Sequence, residues 1–182
     1  MTRSIGIFLV MGCSAMMGWF PAEATDLPIA TSWTKARVSF QAGAGRTCAG
    51  RDLLGNWKLV RFGSSYRFRN PQAPYLFPHQ VFQYSTQGGA KSAHSLHPIL
   101  GDANTVFTTV PLEMTYHVVR NGRVVLKSSG HRPLETWTCE VVTQDNVTGE
   151  GEHALQRGDL IMTLLGSGGE PLFLRHLRKS AV

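Results

Sequence analysis

The sequence lacks the features of several common protein classes. Only three of its 182 residues are cysteine, charged residues make up 16%, and no dense block of Lys and Arg occurs. A nucleic-acid-binding tail would need such a block. The most apolar stretch, residues 5–20, is shorter than the ~20 apolar residues of a membrane-spanning helix. The sequence therefore argues against nucleic-acid binding and against a transmembrane anchor.

Catalytic and cofactor-binding motifs are also absent. No G-x-S-x-G elbow, P-loop or dinucleotide fingerprint occurs, so no catalytic residue, metal or cofactor is assigned. His94 and His97 have a His-x-x-His spacing, and His117 and His131 follow, but no cysteine or carboxylate cluster completes a zinc site. Haem ligation by one of these histidines is left open as an alternative.

The N-terminus has the layout of an export signal. Arg3 precedes the apolar stretch, and "PAEA" at residues 21–24 offers a small-x-small cleavage site. Removing residues 1–24 removes one base and one acid, so the net charge stays at +6. We expect a periplasmic or secreted protein. The alternative is a lipid anchor on Cys13, because "LVMGC" at residues 9–13 resembles a lipoprotein cleavage box.

Two cysteines, Cys48 and Cys139, remain after this cleavage. Disulfides form and persist in exported proteins, so we expect these two to pair. The bond would close a loop that contributes roughly 4–5 kcal/mol of stability in the chain-entropy model. Two buried free thiols are the alternative.

The rest of the chain is a succession of short strands. Residues 25–50 show no periodicity and are expected to be a flexible lead-in. Residues 51–182 alternate β-branched or aromatic segments with turn residues and contain no convincing amphipathic helix. We predict an all-β domain, most simply an antiparallel up-and-down β-barrel of about eight or nine strands, with a sandwich as the alternative. The clearest strands are predicted at residues 53–62, 79–85, 104–110, 134–142, 149–155, 158–165 and 170–178.

One hairpin has a distinct turn signal. Asn121-Gly122 is the preferred dipeptide of a two-residue type I′ turn, in which both positions need a positive φ. Such a turn would place Val119 opposite Val124 and His117 opposite Leu126. His117 would then lie on an apolar face, as a lumen or core residue.

The first strand carries a resemblance. "LLGNWKLVRF" at residues 53–62, followed by a meander of short strands, resembles the lipocalin-like (calycin) barrels, whose first strand begins with Gly-x-Trp. The resemblance implies that Trp57 plugs the closed end of a barrel. It also implies that an arginine after the last strand lies across the indole ring, with Arg175 the first candidate and Arg178 the second.

The segment at residues 63–78 is the predicted ligand site. In lipocalin-like barrels the first loop forms a flap over the open end, and here it combines aromatic rings with arginines. Rings could cover the apolar body of an amphipathic anion, such as a lipid carboxylate, while a guanidinium meets its head. The alternative is a loop that packs its rings onto the barrel. The predicted ligand-binding residues are Tyr66, Arg67, Phe68, Arg69, Tyr75, Phe77 and His117.

Three functions are compatible with these patterns. The first is an exported carrier of a small hydrophobic or amphipathic ligand, without catalysis. The second is an interaction, assembly or inhibitor protein of the cell envelope, with a filled barrel and a basic surface that would also suit an anionic membrane. The third is a cavity hydratase, cyclase or isomerase, with Glu113, Tyr116 and His117 as its acid–base groups.

Overall fold

The computed structural model describes residues 45–65, 76–108, 114–128, 133–144 and 154–180. These residues form nine β-strands and two short helices, which confirms the all-β prediction. None of the described helices is long and apolar enough to cross a membrane. In chain order the elements are β1 (Gly45–Thr47), α1 (Gly50–Leu53), β2 (Gly55–Ser64), β3 (His79–Tyr84), β4 (Gly89–Ser95), α2 (Ala103–Thr108), β5 (Met114–Val119), β6 (Arg123–Ser128), β7 (Pro133–Val142), β8 (Leu160–Leu165) and β9 (Pro171–Lys179).

Strands β2 to β9 form a closed eight-stranded antiparallel barrel. Each strand pairs with the next one in the sequence, and β9 pairs with β2 to complete the circle. The ring of pairings is thus continuous, although β4 and β5 are joined by only two residue pairs among the described residues. The up-and-down order predicted from the turn spacing is therefore confirmed.

Side chains alternate between the lumen and the outer face of the barrel. On β9, for example, Phe173, Arg175 and Leu177 point inward, whereas Leu174 and His176 point outward. We call the end where β2 begins and β9 finishes the closed end, and the opposite end the open end.

The closed end is sealed by α1 and by the tryptophan that follows it. Trp57 is 1% exposed, and its indole Nε1 donates a hydrogen bond to the carbonyl of Leu53 at 2.6 Å. Strand β1 extends the edge of β7 beside them, and a disulfide joins Cys48 to Cys139. The predicted disulfide is confirmed. The lead-in assigned to residues 25–50 thus ends in a strand and the first residue of α1, while its residues 25–44 lie outside the described part of the chain.

The β5–β6 hairpin has a different register from the one predicted. Asn121 and Gly122 do have positive φ, 61° and 65°, but the turn spans three residues, Arg120–Gly122. Val118 consequently faces Val124, and His117 faces Val125. A shift of one residue moves side chains to the other face of a strand. His117 is therefore exposed on the outside, and its predicted place in the lumen or core is wrong.

The strand predicted at residues 104–110 is also wrong, because residues 103–108 form α2. Gly101 and Asp102 precede this helix, and Asp102 caps its first turn. The Asp102 carboxylate accepts hydrogen bonds from the backbone N–H of Thr105 at 2.8 Å and from its hydroxyl at 3.2 Å. This side-chain cap outweighs the low helix propensity of Thr and Val.

Candidate functional site

The described side chains do not fill the whole lumen of the barrel. A pocket of about 290 Å³, which we call the lumen pocket, lies among side chains of six strands, β3 to β7 and β9. Its walls combine aromatic and aliphatic groups with several polar ones, which is the composition of many small-molecule sites. The lining residues are Phe82, Tyr84, Ala90, Lys91, Ser92, His94, Met114, Leu126, Glu135 and Arg175.

Small side chains on β4 leave this space open. The inward positions of the strand are Ala90, Ser92 and His94, which face Tyr84, Phe82 and Gln80 of β3 in turn. Among the described residues, β4 pairs with β5 only through Gly89 and Ala90. Helix α2 lies beside the remainder of β4, where Lys91 Nζ donates a hydrogen bond to the carbonyl of Phe107 at 3.0 Å.

Arg175 places a positive charge in the pocket wall. The residue is 3% exposed, and its guanidinium carbon lies 3.9 Å from the centre of the Trp137 ring and 4.5 Å from that of Phe82. Stacking on two rings orients the planar cation and covers its apolar faces. Burial lowers the pKa of Arg175 to about 10, partly offset by Tyr84 and Glu135, so the group remains a cation at neutral pH.

Further polar groups share the pocket with this cation. Glu135 accepts a hydrogen bond from Trp137 Nε1 at 2.7 Å, which fixes the ring under the guanidinium. His94 Nε2 and Ser92 Oγ lie 3.1 Å apart, and the His94 ring meets the Phe82 ring edge-on at 5.8 Å. Burial raises the pKa of Tyr84, so its hydroxyl stays protonated at neutral pH. The pocket thus offers oriented donors, one carboxylate and an apolar wall.

Most of the predicted ligand-binding residues cannot be compared with this pocket. Tyr66, Arg67, Phe68, Arg69 and Tyr75 lie outside the described residues, so the flap stays a prediction. Phe77 is half-buried, and its carbonyl accepts a hydrogen bond from Gln80 Nε2 at 2.7 Å. His117 is exposed on the outer face of the barrel and does not line the pocket.

The cation over Trp57 is a lysine. Lys179 Nζ, at the end of β9, lies 5.4 Å from the centre of the Trp57 ring. The first candidate, Arg175, stacks on Trp137 instead, and the second, Arg178, binds Asp159. The sequence did contain a signal for the role of Arg175, because a single cation alternates there with Phe173 and Leu177 on an apolar face.

A second buried polar cluster lies on the outer face of the barrel. Asp159 Oδ2 accepts hydrogen bonds from His176 Nε2 at 2.6 Å and from Arg178 at 2.8 Å. Desolvation raises the pKa of Asp159, but these two bonds outweigh it and hold the pKa below its ordinary value. Burial lowers the pKa of His176. Since Arg178 also donates to the Ala154 carbonyl at 2.6 Å, the cluster fastens residues 154–159 to the wall.

Within the part of the chain that the structure describes, no three His, Cys, Asp or Glu side chains gather in a way that could hold a metal ion. No protein-family model matches the chain, and comparisons with curated proteins and with solved structures found no significant match. The function therefore has to be argued from the pocket itself.

Proposed function

We propose that this protein is an exported, lipocalin-like carrier that binds a small amphipathic anion in the lumen pocket. The observation that carries the proposal is Arg175, a guanidinium that keeps its charge inside an aromatic cavity of about 290 Å³. Such a cation favours ligands with a carboxylate, sulfonate or phosphate group. Phe82, Met114 and Leu126 offer apolar surface to the rest of the ligand.

The size of the pocket limits the ligand. A volume of about 290 Å³ corresponds to about ten water molecules of liquid, near the lower end of the range for small-molecule sites. A small organic acid fits within it. A longer lipid carboxylate would place only its charged end and first carbons there and would extend through the open end.

Two further features support the carrier class and its export. Gly55-Asn56-Trp57 begins the first barrel strand, as in the lipocalins that it resembles, although the cation over the tryptophan ring is Lys179 and not an arginine. The Cys48–Cys139 disulfide suits an oxidising compartment outside the cytosol.

Calorimetric titration with dodecanoate and with uncharged dodecanol tests the proposal. We expect dodecanoate to bind roughly tenfold or more tightly than dodecanol, because a charge-assisted hydrogen bond contributes about 1.5–3 kcal/mol. Arg175→Met should remove this preference, whereas Lys58→Met, which removes an exposed cation on the outside of β2, should leave it unchanged.

A pocket-filling variant keeps the test independent of Arg175. Ser92→Phe should block both ligands, while Ala93→Phe, on the outward-facing neighbour, should block neither. Binding that survives Ser92→Phe, or an anion preference that survives Arg175→Met, would contradict the proposed site.

A further inference from the structure

A second cavity lies outside the barrel, at its closed end. It has a volume of about 440 Å³ and lies between α1, the end of β7, the turn before β8 and the end of β9. Among the described residues, four basic side chains and one acidic side chain line it, together with Trp57. We call it the closed-end cleft. Its charged residues are Arg46, Arg51, Asp52, Arg157 and Lys179.

The acidic residue among the described lining, Asp52, is neutralised by a neighbouring arginine. Both carboxylate oxygens of Asp52 accept hydrogen bonds from the Arg46 guanidinium, each at 2.7 Å. This bond, helped by the Ala49 backbone N–H and opposed by desolvation, lowers the pKa of Asp52 to about 2. Asp52 therefore stays ionised at any physiological pH, and its carboxylate remains hydrogen-bonded to Arg46.

Among the described residues that line the cleft, basic side chains outnumber acidic ones by four to one. Arg51, Arg157 and Lys179 are all exposed to solvent, and they belong to three separate elements that meet around one concavity. The volume corresponds to about fifteen water molecules, so an occupant small enough to enter would lie near all three. Cations grouped around a compact space favour a compact, multiply charged anion over an extended one.

We propose that the closed-end cleft binds a multiply charged phosphate group, carried either by a free oligophosphate or by a phosphorylated lipid headgroup. A guanidinium group such as that of Arg51 suits phosphate because it can donate two parallel hydrogen bonds to its oxygens, and Lys179 adds a point charge. This site differs from the pocket in the lumen, since the buried Trp57 ring and the filled half of the barrel separate the two.

Titration of the purified protein with pyrophosphate, compared with sulfate at matched ionic strength, tests the site. Sedimentation with vesicles of phosphatidylcholine and phosphatidic acid in equal parts, compared with phosphatidylcholine alone, tests the lipid source. The variant R51Q/R157Q/K179Q should weaken binding at least roughly tenfold, because it removes three charge-assisted contacts. The matched control K58Q/R120Q/K127Q removes the same charge from positions outside the cleft and should bind as the parent does.

Each outcome decides the proposal. Pyrophosphate binding that the cleft variant loses and the control keeps supports a free phosphate ligand, and vesicle binding with the same pattern supports a lipid headgroup. Equal binding of sulfate, equal losses in the two variants, or no binding of either probe would overturn the site. Because dodecanoate binding should be the same in all three proteins, failure here leaves the lumen proposal standing.

Discussion

The closed end of the barrel and the lumen pocket are packed differently, although the same alternating strands build both. At the closed half, inward positions carry large apolar side chains such as Trp57, Leu160 and Leu177, which are at most 1% exposed. Beside β4, inward positions carry Ser92 and Glu135, which line the lumen pocket. Interiors of proteins are normally packed without voids of this size. The lumen pocket is thus the part of the core in which space has been kept.

Because of this difference, the residues that stabilise the barrel are largely distinct from those that line the pocket. The closed half has the disulfide, the α1 plug and a filled core, so it supplies the packing that holds the barrel together. The lumen pocket can then hold polar groups and open space without loss of the fold. A barrel of this kind does not define a function, and the argument for function rests on the side chains that line its cavity.

Matched leucine truncations should expose the contrast most strongly. Leu177→Ala, in the filled half, should lower the free energy of unfolding by about 4 kcal/mol, because the deleted atoms leave a new cavity. Leu126→Ala, at the pocket wall, should cost only about 2 kcal/mol, since its side chain already borders open space. Urea unfolding followed by circular dichroism measures both values.

Equal decreases in the free energy of unfolding for the two variants would show that the closed end and the pocket wall are packed alike. A larger loss for Leu126→Ala would reverse the comparison and place the main stabilising core beside the pocket.

Much of the barrel could be predicted from local patterns. Strand β7 was recognisable because Trp137, Cys139 and Val141 alternate with polar residues, and the disulfide joins the two cysteines that the predicted cleavage would leave. Strand β4 was missed, because Ala90, Ser92 and His94 give its inward face no apolar signal. The same small side chains that hid the strand from the sequence create the pocket.

The candidate site was harder to predict than the fold. Its residues come from six strands, and only the register of the sheet brings Ser92, Glu135 and Arg175 to the same cavity. A register error of one residue placed His117 on the wrong face. Local sequence patterns specify which residues alternate, but they leave open which face of the strand points inward until the pairing is known.

Two turn glycines test the same comparison, and here we expect smaller changes in the free energy of unfolding. Gly122 at the closed end and Gly169 at the open end have φ of 65° and 81°, a region that costs an L-residue about 1–2 kcal/mol. A Cβ on Gly122 would also clash with Thr47 Cγ2 and would lie 2.7 Å from the Cys139 carbonyl oxygen, whereas one on Gly169 meets nothing within 4 Å. Gly122→Ala should therefore cost about 3 kcal/mol and Gly169→Ala about 1 kcal/mol.

Thermal and urea unfolding of the two alanine variants check these values. If Gly169→Ala proved as damaging as Gly122→Ala, backbone strain alone would explain both, and the tight packing around the closed-end disulfide would contribute nothing measurable.

The outer-face cluster predicts a smaller effect, which depends on pH. Burial and the nearby charges of Arg61 and Arg178 lower the pKa of His176 below 6.5, although Asp159 opposes them. As pH falls through about 6.5, the unfolded chain binds a proton that the folded protein does not, so stability decreases, by at most about 1.4 kcal/mol per pH unit. The lowered pKa of Asp159 acts only in more acidic solution, below its ordinary value of 3.8.

Unfolding free energies measured from pH 7.5 down to pH 5 isolate this contribution. His176→Gln can still donate a hydrogen bond to Asp159 but cannot titrate, so its stability should fall less over this range than that of the parent protein. His97→Gln, in an exposed loop, is the matched control and should keep the parent's pH dependence. If His176→Gln and the parent lose stability in parallel, His176 is not held neutral by burial. The cluster that fastens residues 154–159 beside the closed end would then contain a charged imidazole, paired with Asp159 as an ion.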